Sequence, residues 1–248
     1  MIRFCREDVF LVAGASSGFG AASARLLNAL GATVVTVGRD SARLDALRAD
    51  CAAPDAWHNE TRDLTADTGT LSAWVRALKE RYGKLRGLLY TAGVCEVVPV
   101  RLQEAEGMRG LFEINVFAAY QLARGFLDRR CNTGGGASLV FIASTGALHD
   151  NAGITSYSAS KGATIAMTRS MACEFMPQRI RVNCISPALV PTPMTEAIYP
   201  DLQERAAAYP LGPGSADDVA NTAVFLLSDA SRWITGQNII VDGGIGLR

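Results

Sequence analysis

Tyr157 and Lys161 stand four residues apart in TSYSASKGAT (155–164), a stretch otherwise built of small residues. Lysine is rare in this chain, with three copies (79, 84 and 161) against 21 arginines. A chance Tyr-x3-Lys among six tyrosines is therefore expected only about 0.07 times. On a helix, residues four apart share a face, which lets the Lys161 ammonium approach the Tyr157 phenol. A free tyrosine titrates near 10, and each unit of lowering takes about 1.4 kcal/mol of preferential phenolate stabilisation. A nearby cation supplies that, and the pair then works as a general acid and base. Ser144 ends the apolar run LVFIAS, so its hydroxyl is expected at a strand terminus, able to hydrogen-bond a carbonyl oxygen while Tyr157 delivers a proton. A strand-end serine is also a common turn or helix cap. Asn115, in FEINVFAAYQLA, is an amide in an apolar helix and needs partners, either local backbone or a water held for the chemistry.

A second group of residues is suited to phosphate. AGASSGFG (13–20) follows an apolar run and sets Gly14, Gly18 and Gly20 ahead of a helical pattern. A strand, a glycine turn and a helix N-terminus together present backbone N–H groups and a positive dipole end to a pyrophosphate. A tight turn without a ligand would use the same glycines. In TVVTVGRDSA (33–42), Gly38 stands where a dinucleotide fold that binds NAD carries an acid for the ribose 2′-hydroxyl, and Arg39 follows, as a 2′-phosphate requires. Asp40 comes next and pulls the other way. NADP(H) is expected, with NAD(H) second.

The elements that must carry these residues alternate in kind. β-branched or apolar runs at 8–13, 33–37, 87–91, 138–143, 181–186 and 238–242, with a weaker one around 56–62, are separated by helical patterns at 19–30, 41–50, 70–82, 108–130, 156–176 and 216–228. Continuous apolar strands with crossover helices predict an α/β fold, a doubly wound parallel sheet covered on both faces, as one domain over residues 1–248. Six of the nine prolines fall from Pro187 to Pro213, which forbids a long helix there; residues 188–213 are expected to form a lid leaving the carboxyl end of a strand. In that segment Leu189, Met194, Ile198, Tyr199 and Leu202 are the apolar candidates for substrate contact, with Glu196 and Arg205 the nearest charges.

Composition narrows the partners. Lys plus Arg equals Asp plus Glu at 24 each, with no basic stripe, so nucleic acid is not expected. No apolar run is long enough to span a bilayer, and MIRFCREDVFLVAG lacks a cleavage pattern, so a cytoplasmic location is expected. Six scattered cysteines without C-x-x-C and only His58 and His149 predict reduced thiols and no metal site. Arg129 and Arg130 are expected at the end of helix 108–130, where cations complement the dipole. The loop 145–153 brings His149 and Asp150 toward the substrate side.

Taken in order, GASSGFG (14–20), RDLT (62–65), TAG (91–93), Asn115, Ser144, YSASK (157–161), RVNCISPALVPT (181–192) and TGQNIIVDGG (235–244) are similar to the short, single-domain branch of the short-chain dehydrogenase/reductase family. The resemblance covers nearly the whole chain and implies a Rossmann-type fold with an NADP(H)-dependent interconversion of a ketone or aldehyde and an alcohol. It implies that Tyr157 is the proton donor or acceptor, that Lys161 lowers its pKa and binds the nicotinamide ribose, that Ser144 orients the substrate oxygen, and that Asn115 holds a water linking Lys161 to solvent. It further assigns cofactor contacts to Gly14, Ser16, Ser17, Gly18, Phe19, Gly20 and Arg39. Asp63 and Leu64 would border the adenine, Thr91, Ala92 and Gly93 the adenosine side, and Pro187, Ala188, Val190 and Thr192 the nicotinamide. Two departures stand out. Tyr90 and Thr91 replace the family's usual asparagines, so strand-anchoring bonds must be made differently, and Ala188 replaces the usual glycine, which costs strain if positive φ is needed there. Helices 108–130 and 156–176 are apolar or small on most faces, and with the family resemblance they imply a homotetramer, or a homodimer. The rival from another class is a non-catalytic dinucleotide-sensing regulator on the same fold. The substrate is left open among an oxoacyl thioester, a sugar or polyol, and another small ketone.

Overall fold

The computed structural model of the chain describes residues 1–149 and 152–247. Among them are seven strands: β1 (Val9–Ala13), β2 (Thr33–Gly38), β3 (Trp57–Thr61), β4 (Leu85–Tyr90), β5 (Ser138–Ile142), β6 (Arg181–Pro187) and β7 (Asn238–Val241). They form one sheet in the order β3-β2-β1-β4-β5-β6-β7, and each neighbouring pair is parallel. Every residue of β1, β5 and β6 is buried, and β1 reads as a continuously apolar run, while β6 buries Arg181, Asn183 and Ser186 among its residues; β3 and β7 at the edges are only partly covered.

The helices are α1 (Gly18–Ala29), α2 (Ser41–Ala49), α3 (Leu71–Tyr82), α4 (Ala105–Phe112), α5 (Ala118–Phe126), α6 (Thr155–Phe175), α7 (Pro193–Ile198), α8 (Leu202–Ala207) and α9 (Ala216–Leu227). Alternate strand residues point to opposite faces. Leu11, Val35, Leu88, Leu139 and Val182 pack with α3, α5 and α6, while Phe10, Val12, Val34, Leu89 and Val140 pack with α1, α2 and α9. The strand order reverses between β1 and β4, and the crevice beyond the carboxyl ends there is where an open α/β sheet receives a ligand.

One helix differs from its expected form. The pattern at 108–130 is two helices, α4 and α5, joined by a single widened π turn over Glu113–Phe117 that contains Asn115. It also stops early. Asn132 donates to the carbonyls of Phe126 (2.9 Å) and Asp128 (3.1 Å) and accepts from Gly134 N–H (2.8 Å), closing the end of α5. Arg129 and Arg130 therefore lie past the helix, and Arg130 pairs with Asp128 at 2.6 Å instead of capping a dipole. In the proline-rich segment, Thr192 caps the six-residue α7, whose first residue is Pro193, and α8 follows. Among the described residues no helix is long and apolar enough to cross a membrane.

Asn132 is 1% exposed, so truncation removes three hydrogen bonds from a buried site and leaves the Gly134 N–H without its partner. Asn132→Ala should lower the unfolding free energy by about 1–3 kcal/mol in urea titrations, with the slope unchanged.

Candidate active site

The glycine loop is shaped by close approach of three elements. Beyond β1, the N–H groups of Gly14 and Ala15 both donate to Val37 O (2.9 and 3.0 Å), tying the loop to β2. Gly14 has φ +85°, and a Cβ on it would stand 2.5 Å from Ala92 N; a Cβ on Gly20 would stand 2.3 Å from Gly14 O. Only glycine admits that packing. Thr91 Oγ1 donates to Ala13 O at 2.8 Å and Gly14 O at 3.1 Å, so a threonine at this departure from the family pattern anchors β4 to the glycine loop. The N-terminus of α1 is open. Ser17 makes no side-chain cap and the first turn carries no acid, whereas Asp40 and Thr192 cap α2 and α7. A bare helix N-terminus behind a glycine loop fits a dinucleotide pyrophosphate.

Around the ends of β2 and β3, Gly38, Arg39, Arg43, Arg62, Asp63 and Leu64 line the cavity. Asp40 is committed to the helix: its carboxylate accepts from Arg43 N–H at 3.0 Å and pairs with Arg43 Nε at 3.1 Å. Asp63 accepts from the Thr65 backbone N–H (2.8 Å) and hydroxyl (2.7 Å), which hold its carboxyl below the usual range. The Arg62 guanidinium lies 4.9 Å from the centre of the Trp74 ring.

A third region holds the opening pair. Lys161, on α6, is 5% exposed, and its ammonium donates to Ile142 O at 2.9 Å, the last residue of β5. Nζ lies 5.6 Å from the centre of the Tyr157 ring. The Tyr157 phenol is hydrogen-bonded to Ser144, whose Oγ also accepts from Gly146 N–H at 3.0 Å. The serine thus caps a turn and meets the phenol at once. Burial dominates the protonation of both partners, pushing Tyr157 up to about 12, against the lowering influence of Ser144, and Lys161 down to about 8. Desolvation penalises phenolate and ammonium alike.

Asn115 is buried behind this group. Its Oδ1 accepts from Val94 N–H (2.9 Å), and its Nδ2 donates to Val94 O (3.0 Å) and Ser160 Oγ (3.0 Å), while Ser160 donates to Tyr157 O at 2.7 Å. A Cβ on Gly93 would stand 2.9 Å from Asn115 Oδ1 and 3.5 Å from Lys161 Nζ. Tyr90, the other departure, sends its hydroxyl to Ile114 O at 2.5 Å and so secures the π turn that presents Asn115.

Apart from Asn115, every residue expected in the site lines one cavity of about 990 Å³, including Ser16, Ser17, Phe19, Pro187, Val190 and Thr192. Ala188 lines it too and needs no positive φ, and its N–H donates to Val241 O at 3.0 Å. Leu189, Met194, Ile198, Tyr199, Arg205 and His149 also face the cavity, whereas Leu202 turns away and is buried at 3%. Asp150 lies outside the described residues. The sequence reading missed Arg43, Arg62, Cys95, Ile154, Ser160 and Tyr209. Arg43 had a signal, since it lies one helical turn past the Asp40 cap. Arg62 and Ser160 lie inside the RDLT and YSASK stretches without having been singled out there, whereas Cys95, Ile154 and Tyr209 come from separate segments and carry no local pattern. Among the described residues no cluster of three or more His, Cys, Asp or Glu side chains is placed to hold a metal ion.

Comparison with known proteins extends these observations. Residues 14–246 match the family model described as Enoyl-(Acyl carrier protein) reductase. The chain is 32% identical over 244 residues to 3-oxoacyl-[acyl-carrier-protein] reductase FabG of Thermotoga maritima, spanning 96% of this chain and 97% of that one. It is likewise 32% identical to L-xylulose reductase of Bos taurus, spanning 94% of each. Among solved structures, a short-chain type dehydrogenase/reductase from Mycobacterium ulcerans aligns at a TM-score of 0.89 and 32% identity over 100% of this chain and 92% of that one. A short-chain dehydrogenase/reductase from Brucella melitensis titled glucose/ribitol dehydrogenase aligns at 0.90 and 29% identity, over 98% and 99%. With a family model spanning nearly the whole chain and relatives covered end to end, this protein belongs to the short-chain dehydrogenase/reductase family of oxidoreductases.

Proposed function

We propose that the protein is an NADP(H)-dependent oxidoreductase that interconverts a ketone or aldehyde and an alcohol, with Tyr157 as the general acid and base. The observation that carries this reading is the Tyr157–Ser144 hydrogen bond beside the buried Lys161 ammonium, in a cavity whose far end is an uncapped helix N-terminus. When bound, the nicotinamide supplies or accepts the hydride. The protein's own groups handle the proton. Ser144 and Tyr157 converge on the substrate oxygen, the phenol donates in reduction, and the Lys161 ammonium favours the phenolate left behind. Asn115 and Ser160 hold the turn of α6 that carries Tyr157.

Holding the cofactor would fall to the loop and first turn of α1, from Gly14 to Gly20, with Asp63 and Leu64 at the adenine, Thr91 to Gly93 on the adenosine side, Lys161 at the ribose, and Pro187, Ala188, Val190 and Thr192 at the nicotinamide. Arg39 would meet the 2′-phosphate. Two observations favour NADP(H): Gly38 offers no carboxylate, and that of Asp40 is engaged by Arg43. Residues 188–213, with α7 and α8, would act as the lid of a single domain. Assembly as a homotetramer belongs to the same reading, since Phe117 and Tyr120 near α5 and Trp233 and Ile240 near β7 are exposed apolar side chains.

Tyr157→Phe should lower turnover by roughly 10²–10⁴-fold while NADPH still binds in a fluorescence titration; unchanged turnover rejects the mechanism. The pH profile follows from the same pair. The phenol keeps its proton up to about 12, whereas the Lys161 cation is lost as pH rises through about 8, so kcat/KM for reduction should be level near neutrality and fall above that point. For the cofactor, NADPH should bind more tightly than NADH, and Arg39→Ser should weaken NADPH by about ten- to a hundredfold while sparing NADH. Tighter binding of NADH by the unaltered protein would overturn the assignment. Light scattering during size exclusion should return the mass of a tetramer, and a monomer would remove that part of the reading.

A further inference from the structure

The segment from 188 to 213 places a second phenol in the cavity. Tyr199 stands at the joint between α7 and α8, where its N–H donates to Thr195 O (2.9 Å) and its carbonyl accepts from Leu202 N–H (3.1 Å). Both helices are fastened. Thr195 Oγ1 donates to Val190 O (2.7 Å) ahead of α7, and Leu202 and Ala206 are buried beneath α8. Pro200 follows the tyrosine and disfavours helical backbone before it, and Tyr199 is extended, with φ −119° and ψ 98°. The joint is therefore a fixed bend whose ring lines the cavity.

The ring is held on one side by a cation. The Arg205 guanidinium lies 5.3 Å from the centre of the Tyr199 ring, and Arg205 Nε is bound to Asp201 at 2.8 Å, four residues earlier. The hydroxyl is left for a ligand: among the described residues it has no hydrogen-bond partner. Partial burial raises the phenol above its ordinary range, so it keeps its proton as a donor. Tyr199 is also near enough to Tyr157 to act on that phenol electrostatically, and both line one cavity with Ser144. A substrate whose carbonyl meets Ser144 and Tyr157 thus has a further donor close to its remaining atoms. Tyr209 lines the same cavity, and its hydroxyl accepts from Leu189 N–H (3.0 Å) while retaining a proton to donate. A ligand that offers only carbon to these two hydroxyls displaces their water without replacing its hydrogen bonds.

We infer that Tyr199 is a specificity-determining residue whose phenol donates to a second oxygen of the substrate, that Arg205 positions its ring, and that the preferred substrates are ketones bearing a hydroxyl or a further carbonyl. This rests on the carbonyl–alcohol reading of the site and narrows it.

The test uses the full chain saturated with NADPH and four probes of one skeleton, cyclohexanone and its 2-, 3- and 4-hydroxy derivatives. At least one hydroxyketone should exceed cyclohexanone in kcat/KM by roughly tenfold or more. Tyr199→Phe keeps the ring beside Arg205 and removes only the hydroxyl. It should cut that ratio by about tenfold, mainly through the KM of the hydroxyketone. Arg205→Gln should cut the ratio by about two- to fivefold, and Arg205→Lys, which keeps a cation at the ring, should recover most of it. If no hydroxyketone is preferred, or if Tyr199→Phe lowers all four probes equally, this inference is overturned and the carbonyl–alcohol reading stands. If NADPH binds and none of the four probes turns over, both fall.

Discussion

Lys161 is a cation with almost no access to water, held by the carbonyl that ends β5. That one bond locks the middle of the first two turns of α6 onto the carboxyl end of the sheet. Because Tyr157 lies one turn earlier on the same face, its phenol is delivered to Ser144, two residues beyond Ile142, without any further adjustable element. Burial is what gives the arrangement its chemistry. A phenol raised to about 12 holds its proton for donation, and an ammonium lowered to about 8 is poised to respond to charge appearing beside it. The same desolvation that makes Lys161 costly to bury makes its field strong where it acts.

The helix behind the site shows how backbone geometry serves that pair. A regular α-helix from 105 to 126 would rotate Asn115 relative to its neighbours, and the π turn offsets the register locally. The amide then reaches both backbone groups of Val94 and the Ser160 hydroxyl, and Ser160 reaches the carbonyl of Tyr157. Tyr90 and Thr91 work on the opposite side, one securing the π turn and the other the glycine loop. Residues that depart from the family pattern thus join the sheet to both halves of the cavity through side-chain hydroxyls bonded to backbone carbonyls.

Much of the fold was legible because parallel strands buried on both faces favour β-branched and apolar runs, and all seven strands overlap the runs read from the sequence, including the weaker one around 56–62. Ser144, Tyr157 and Lys161 could be singled out from residue type, rarity and spacing alone. The failures have physical causes. Periodicity registered 108–130 as one helix because a π turn inserts a single residue without breaking the apolar pattern, and the end of α5 was misplaced because its cap, Asn132, lies beyond the run. Leu202 was assigned to the cavity although its helix turns it into the core, since six-residue helices offer too short a period to tell one face from another.

Local sequence therefore marked the strands, the glycine turn and the Tyr157–Lys161 pair, each by residue types and spacing over a few positions. Only the tertiary structure decided how deeply Tyr157 and Lys161 would be withdrawn from water, that the Asp40 carboxylate would be engaged by Arg43, and that Cys95, Ile154 and Tyr209 would line one cavity. Those outcomes depend on how much water is excluded and on which distant segments meet, and neither quantity is written in the spacing of residues along a chain.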